Sequence, residues 1–221
     1  MQGEAVHPRE LSAEEGEFLV RLARRAVEEY VRSRRVVEPP DNTPGRLMRR
    51  GMSFVTLYRL GPSSRELRGC IGFLQPLYPL AVSVIRSAIS AASEDPRFPP
   101  VAPEELDSIV VEVSILSEPA PVKDPFREVV IGRHGLYMVR GFYSGTLLPE
   151  VPVEYCWDLE TFLAETCVKA GLPPDAWRDP GTRILAYEGR VFYEEEPRGR
   201  VREKDLVEEY RRRCSWLLRG S

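Results

Sequence analysis

The chain has 221 residues, 43% of them hydrophobic, with 34 acidic against 31 basic side chains and a formal net charge of −3. That length buries a real core, as one large domain or two intimate subdomains, and the charge balance excludes the strongly basic class of nucleic-acid binders. No run approaches the roughly 20 apolar residues that span a bilayer, and Met1 to Glu10 lacks a basic stretch followed by an apolar one, so a cytoplasmic location is expected.

From the N-terminus, Ser12-Ala13-Glu14-Glu15 is a capping box. Phe18, Leu19, Leu22, Ala23, Ala26, Val27 and Tyr30 then recur at helical spacing, which predicts a helix to about Val31. Pro39 to Gly45 is a loop. Ser53 to Leu60 and Glu66 to Leu74 read as the strands of a hairpin around Gly61-Pro62-Ser63-Ser64. Pro79 to Ser93 is an alanine-rich, mostly apolar helix, expected to be buried, and Asp95 to Pro103 is a proline-dense loop. Ser108 to Ser117 is a strand, with Ile109, Val111, Val113 and Ile115 on one face and Val110, Glu112, Ser114 and Leu116 on the other. Glu128 to Ile131 and Gly135 to Arg140 predict a second hairpin around Gly132 to Gly135, and Gly145 to Glu154 is irregular. Asp158 caps a helix that ends near Ala170, with Gly171 as its stop. Arg183 to Glu194 is strand-like, and Lys204 to Leu218 is an amphipathic terminal helix.

This order lacks strict strand–helix–strand alternation, which predicts an α+β fold with a mixed, largely antiparallel sheet and packed helices. No linker is long enough to separate two free domains. The expected organisation is a larger core subdomain over residues 10–118 and 156–195, a smaller one inserted at about 119–155, and a C-terminal helix within 196–221 packed on the core.

The stretch with most chemical promise is Leu67-Arg68-Gly69-Cys70-Ile71-Gly72, where glycines leave the backbone bare on both sides of a thiol. On an extended strand Arg68 and Cys70 share a face, and a guanidinium beside a thiol favours the thiolate. Cys70 is therefore a candidate nucleophile or redox thiol, with Arg68 as its activator or as an anion binder. The blander alternative is a small buried residue wedged where glycines let two elements approach. Glu112 and Ser114 either belong to a solvated strand face or place a carboxylate near Arg68, Arg97 or Cys70 as acid or base. Asp95 and Arg97 either fix their loop by a salt bridge or line a cleft with Arg68. Lys169 ends a helix, where a cation suits the dipole.

The four cysteines, at 70, 156, 167 and 214, form no C-x-x-C pair, and the only histidines are His7 and His134. No metal site is assigned on that basis, and the spacing leaves disulfide connectivity open. His134 reads as a hairpin-tip residue rather than as a base for Cys70. Residues 21 to 50 hold nine arginines against four acids, with no recognition helix or base-stacking signature. A solvated helix face is expected there, and specific nucleic-acid binding is not. No phosphate loop or dinucleotide fingerprint is present, so the cofactor is unassigned. Only three of the 31 basic residues are lysine and 20 residues are proline, a hint of a heat-adapted source.

The hexapeptide from Leu67 to Gly72 is also similar to the signature of the AMMECR domain family. Further along, Asp95-Pro96-Arg97-Phe98-Pro99-Pro100 resembles that family's acidic-arginine-proline loop, and Glu112 to Leu116 resembles its central strand. Leu147 to Val151 is similar to its leucine-proline turn, and Trp157-Asp158, Phe162-Leu163 and Lys169 to Leu172 resemble its late helix. The likeness runs from about residue 10 to 195 and implies a two-part α+β fold, without a settled activity. It singles out Asp95 and Arg97 residue for residue, and Lys169 belongs to a matched motif. With Gly69, Gly72 and Ser114 these are the candidate binding residues, beside Cys70, Arg68 and Glu112 as the candidate catalytic ones. Cys156 stands where the family more often has glycine. The resemblance implies Memo-like and radical-SAM proteins as partners, and leaves room for a homodimer. One functional alternative is a small-molecule or redox/modification enzyme using Arg68-Gly69-Cys70. The other is a non-enzymatic binding module for such a partner, and a nucleic-acid-associated adapter is a third.

Overall fold

The computed structural model describes residues 5–61 and 64–218, so Pro62 and Ser63 of the expected first turn lie outside the described residues. In chain order the elements are α1 (Ala13–Ser33), β1 (Arg50–Leu60), β2 (Arg65–Gly72), β3 (Tyr78–Pro79), α2 (Leu80–Ser93), β4 (Ile109–Leu116) and β5 (Ala120–Pro121). There follow α3 (Pro125–Glu128), β6 (His134–Arg140), β7 (Tyr143–Leu147), α4 (Glu150–Glu154), α5 (Leu159–Lys169), β8 (Arg183–Glu194), β9 (Val201–Glu203), α6 (Leu206–Arg213) and α7 (Ser215–Leu218). The fold is mixed α+β, with antiparallel strand pairing and packed helices. The chain divides into two compact units, Met1–Glu118 with Arg190–Lys204 and Pro119–Gly189 with Asp205–Ser221.

In the first unit the strand order is β2-β1-β4-β8, with β3 on β1 and β9 on β8. Period-two alternation along β4 sets the layering. Ile109, Val111, Val113 and Ile115 enter the core built with α1 and α2. The other face carries Val110, Glu112, Ser114 and Leu116, opposite Tyr58, Thr56, Phe54 and Met52 of β1. α1 starts at the expected capping box: Glu15 N–H donates to Ser12 Oγ at 3.2 Å, and Ser12 N–H to Glu15 Oε2 at 2.9 Å. Its buried stripe includes Leu19, Ala23 and Val27, and α2 buries Leu80, Val84, Ile85 and Ala88. Each large aliphatic side chain so buried contributes roughly 1.5–3 kcal/mol. Arg24 of α1 pairs with Glu194 of β8, both buried, and Glu194 also accepts the Val111 N–H at 3.1 Å. Just after β9, the Lys204 N–H donates to the Val191 carbonyl at 2.9 Å, which fixes the start of that side chain.

In the second unit the first half of β8 pairs with β6, β6 with β7, and β5 with β8, all antiparallel. Phe162, Leu163 and Cys167 of α5 join Leu136, Met138 and Ile184 in its core. Asp158 caps α5 by accepting the Thr161 N–H at 2.8 Å. The hairpin of this unit differs from the sequence expectation. It joins β6 to β7 around Gly141-Phe142, and residues 125–128 form a short helix. Asp124 accepts the Phe126 N–H at 3.1 Å and Pro125 is the first helical residue, a local start signal that outweighs the strand propensity downstream.

Residues 156–189 and the terminal helix belong to the second unit together with 119–155. That helix is broken at Cys214, which forms a disulfide with Cys156 across a Cα–Cα distance of 5.4 Å. Cys156 has φ 50°, a left-handed conformation that suits the glycine the family resemblance leads one to expect there. No helix among the described residues is long and apolar enough to cross a membrane.

Candidate functional site

β2 lies at the edge of the first unit's sheet, and an edge strand presents unpaired N–H and C=O groups. At Cys70 both are taken by one loop. Its N–H donates to Asp95 Oδ2 at 2.8 Å, and its carbonyl accepts from Arg97 Nη2 at 3.4 Å. Arg97 also forks the carboxylate, Nε to Oδ1 at 2.9 Å and Nη2 to Oδ2 at 2.7 Å. The Arg97 guanidinium, with the backbone N–H groups of Cys70 and Arg97, outweighs burial and holds the Asp95 carboxyl down at about 2.

Gly69 and Gly72 are close-approach positions. A Cβ at Gly69 would stand 2.1 Å from the Ala91 carbonyl oxygen of α2. One at Gly72 would stand 2.3 Å from the Phe54 ring and 2.4 Å from the Ser53 carbonyl oxygen. Side chains at either position would push β2 off its neighbours.

Arg68 is not where strict alternation places it. Leu57 pairs with Gly69 and Tyr58 with Leu67, so Arg68 is the extra residue of a β-bulge. Its guanidinium forks Glu105, Nε to Oε1 at 2.7 Å and Nη2 to Oε2 at 2.9 Å. The remaining donors go to the carbonyls of Pro99 and Pro100, at 2.9 and 3.3 Å. Arg68 therefore anchors the proline loop, with its guanidinium donors turned to Glu105, Pro99 and Pro100.

Cys70 and Cys167 keep their thiols, Cys70 partly exposed and Cys167 buried. The Thr56 hydroxyl donates to Cys70 Sγ at 3.3 Å. The Arg97 guanidinium has its pKa raised, chiefly by the bond to Asp95 and additionally by the charge of Cys70. Arg97 is thus a cation whose charge couples to Cys70 as well as to Asp95.

Thr56 pairs in turn with Glu112, so Cys70, Thr56 and Glu112 form a row across three strands, about 5 Å per step. Glu112 and Ser114 are each 1% exposed, which overturns the solvated-face expectation. The partner of Glu112 is Lys204, whose ammonium closes on Oε2, while Oε1 has no hydrogen-bond partner. The same ammonium lies 6.0 Å from the Tyr58 ring centroid and 5.5 Å from that of Tyr193.

Cys70, Gly69, Gly72, Asp95, Arg97, Glu112 and Ser114 thus belong to one neighbourhood of the first unit. Lys169 belongs to the second unit, at the end of α5, as does His134, which opens β6 and accepts the Val130 N–H at 2.9 Å. Sequence reasoning missed Thr56, Glu105 and Lys204. A glycine inside a strand is a signal for the bulge, and Lys204 is one of three lysines in an arginine-rich chain. Five of the nine arginines in the arginine-rich stretch are held in ion pairs, Arg21–Glu17, Arg24–Glu194, Arg35–Glu29, Arg46–Glu15 and Arg49–Glu10. Among the described residues no three His, Cys, Asp or Glu side chains cluster as metal ligands.

The sequence matches the AMMECR1 family over residues 20–192. A protein of Thermococcus gammatolerans is 57% identical over 197 residues, 87% of this chain and 96% of that one. Protein TK0174 of Thermococcus kodakarensis is also 57% identical over 197 residues, with the same coverage. The crystal structure of uncharacterized protein PH0010 from Pyrococcus horikoshii is similar with a TM-score of 0.83 at 51% identity, over 88% of this chain and 98% of that one. Such thermophilic relatives fit the arginine- and proline-rich composition.

Proposed function

The chain belongs to the AMMECR1 family, and on that premise we propose that its first unit is a thiol-based reaction centre for a small molecule. Cys70 is the nucleophile, Arg97 and the Thr56 hydroxyl stabilise its thiolate, and Glu112, held by Lys204, carries the proton. One observation supports this reading above the others: a buried carboxylate with an unpartnered oxygen stands on the same sheet face as a partly exposed thiol. Burying an ion pair costs several kcal/mol per ion, and an apolar pair of similar volume is often no less stable. Thr56 lies between Glu112 and Cys70, so a proton passes between them through its hydroxyl or through a group of the substrate.

A second reading is a non-enzymatic module that docks a Memo-like or radical-SAM partner. It is favoured by one observation: Gly69, Gly72, Asp95 and Arg97 each have a task in closing the sheet edge that involves no reaction. The two separate with p-nitrophenyl acetate as an acyl donor. Attack by Cys70 on the ester carbonyl carbon forms a thioester and releases p-nitrophenolate. The enzyme reading expects a stoichiometric burst that Cys70→Ser abolishes, with slowed deacylation in Glu112→Gln. A wild-type chain that shows no burst beyond Cys70→Ser leaves the docking module.

A further inference from the structure

The second unit carries a recess of about 330 Å³ beside β5, the start of β8 and the turn after α5. Pro121, Lys123, Trp177, Arg178, Asp179 and Arg183 are among the residues that line it. Its volume is at the small end of ligand-binding sites, which run from roughly 300 to 1,000 Å³.

The walls are fixed in advance. Asp179 Oδ1 accepts the Gly181 N–H at 2.8 Å, and the Asp179 carbonyl accepts the Thr182 N–H at 2.9 Å. On the opposite wall Val122 N–H donates to the Ile184 carbonyl at 2.9 Å, continuing the β5–β8 pairing. Pro121 and Pro180 stiffen the rim further. A ligand entering such a recess loses little affinity to ordering of the protein.

The charges of the lining do not cancel. Asp179 is taken by Arg140 at 2.8 Å, and Arg178 is taken by Glu160. Among the described residues, the side chains of Lys123 and Arg183 enter no ion pair or hydrogen bond. Two cations without a direct ion pair therefore stand at this recess, Lys123 coupled only through space to the Glu128 charge, in a chain whose net charge is −3. The third element is aromatic. The Trp177 ring is half-buried, with the Arg178 guanidinium 4.7 Å from its centroid and the Phe126 ring at 6.0 Å. An indole face with cations beside it recognises a flat ring that carries negative charge.

We propose that this recess binds a small planar anion, an aromatic or heteroaromatic ring that bears a carboxylate or phosphate. The ring lies against Trp177, and the acid group is held by Lys123 and Arg183. A cationic ligand meets no unpaired carboxylate here, and a purely apolar one covers two cations without pairing them.

Isothermal titration calorimetry on the full chain tests this, with AMP and benzoate as probes of the two acid types and adenosine and inorganic phosphate as the separated parts. The expected result is saturable binding of AMP or benzoate, with adenosine and phosphate each weaker. The exposed double variant Lys123→Ala/Arg183→Ala is expected to weaken binding about tenfold or more, the loss of one charge-assisted hydrogen bond or more, with an unchanged melting curve. In Trp177→Phe the quenching of tryptophan fluorescence by the bound ring is expected to disappear. The proposal is overturned if neither AMP nor benzoate binds, if phosphate alone binds as tightly as AMP, or if the double variant binds as tightly as the wild type.

Discussion

Asp95 accepts the backbone N–H of Cys70 at 2.8 Å, so the edge of the sheet is closed at the thiol by a side chain instead of another strand. The same carboxylate is forked by Arg97, whose guanidinium reaches on to the Cys70 carbonyl. The loop that closes the edge also supplies a guanidinium whose charge couples to Cys70, which ties the stability of β2 to the chemistry proposed for it.

Asp95 makes stability depend on acid. Its folded pKa is about 2, depressed below the ordinary 3.8. A depressed carboxyl contributes stability that is complete above the unfolded value and lost as pH falls through the folded one. The contribution is ~2 kcal/mol at neutral pH, disappearing between roughly pH 4 and pH 2. Urea denaturation across that range checks it: Asp95→Asn is expected to be less stable at pH 7 and to converge with the wild type at pH 2.

Gly69 and the cysteine that follows it should differ sharply in what a substitution costs. Gly69→Ala places a Cβ 2.1 Å from a backbone oxygen, a clash neither strand nor helix can relax cheaply, and should cost ~3 kcal/mol or more. Cys70→Ala should cost within about 1 kcal/mol, as expected for a partly exposed residue away from the core. Thermal melts of the two variants give the comparison.

Lys204 and Glu112 should be strongly coupled. Removing one partner of a buried pair leaves an uncompensated charge, so Lys204→Met is expected to destabilise by ~3–5 kcal/mol. Adding Glu112→Gln to that variant should recover part of the loss. A double-mutant cycle in urea measures the coupling, and additive effects would show that the pair does not act as a unit.

The disulfide should matter to the second unit. Cys156 and Cys214 are separated by 58 residues, and closing a loop of that length contributes ~4 kcal/mol on the chain-entropy account. Melting curves with and without reductant should differ for the wild type and coincide for Cys156→Ser/Cys214→Ser.

Much of the first unit was legible because its signals are local and periodic. The Ser12–Glu15 box, the stripe through Leu19, Ala23 and Val27, and the two faces of β4 follow from spacing alone. The second hairpin was misplaced because Asp124-Pro125 starts a helix inside a strand-like run. The candidate site was half legible. Cys70, Asp95, Arg97 and Glu112 share one neighbourhood, but a one-residue bulge sends Arg68 to Glu105, and Lys204 arrives from the far end of the chain. A bulge and a long-range ion pair are set by tertiary packing, to which period-two counting is blind. The pairing of Cys156 with Cys214 was illegible for the same reason.

The central claim is that Cys70 is an accessible thiol whose thiolate is favoured by Arg97. It is tested most directly by the rate of iodoacetamide alkylation against pH, followed residue by residue by mass spectrometry, in the wild type, Arg97→Gln and Arg68→Lys. The account predicts that Cys70 reacts while Cys167 is protected, with a midpoint below the ordinary thiol value of about 8.5. It predicts further that Arg97→Gln raises that midpoint and Arg68→Lys leaves it in place. A Cys70 that titrates at or above about 8.5 and is indifferent to Arg97→Gln would contradict the account.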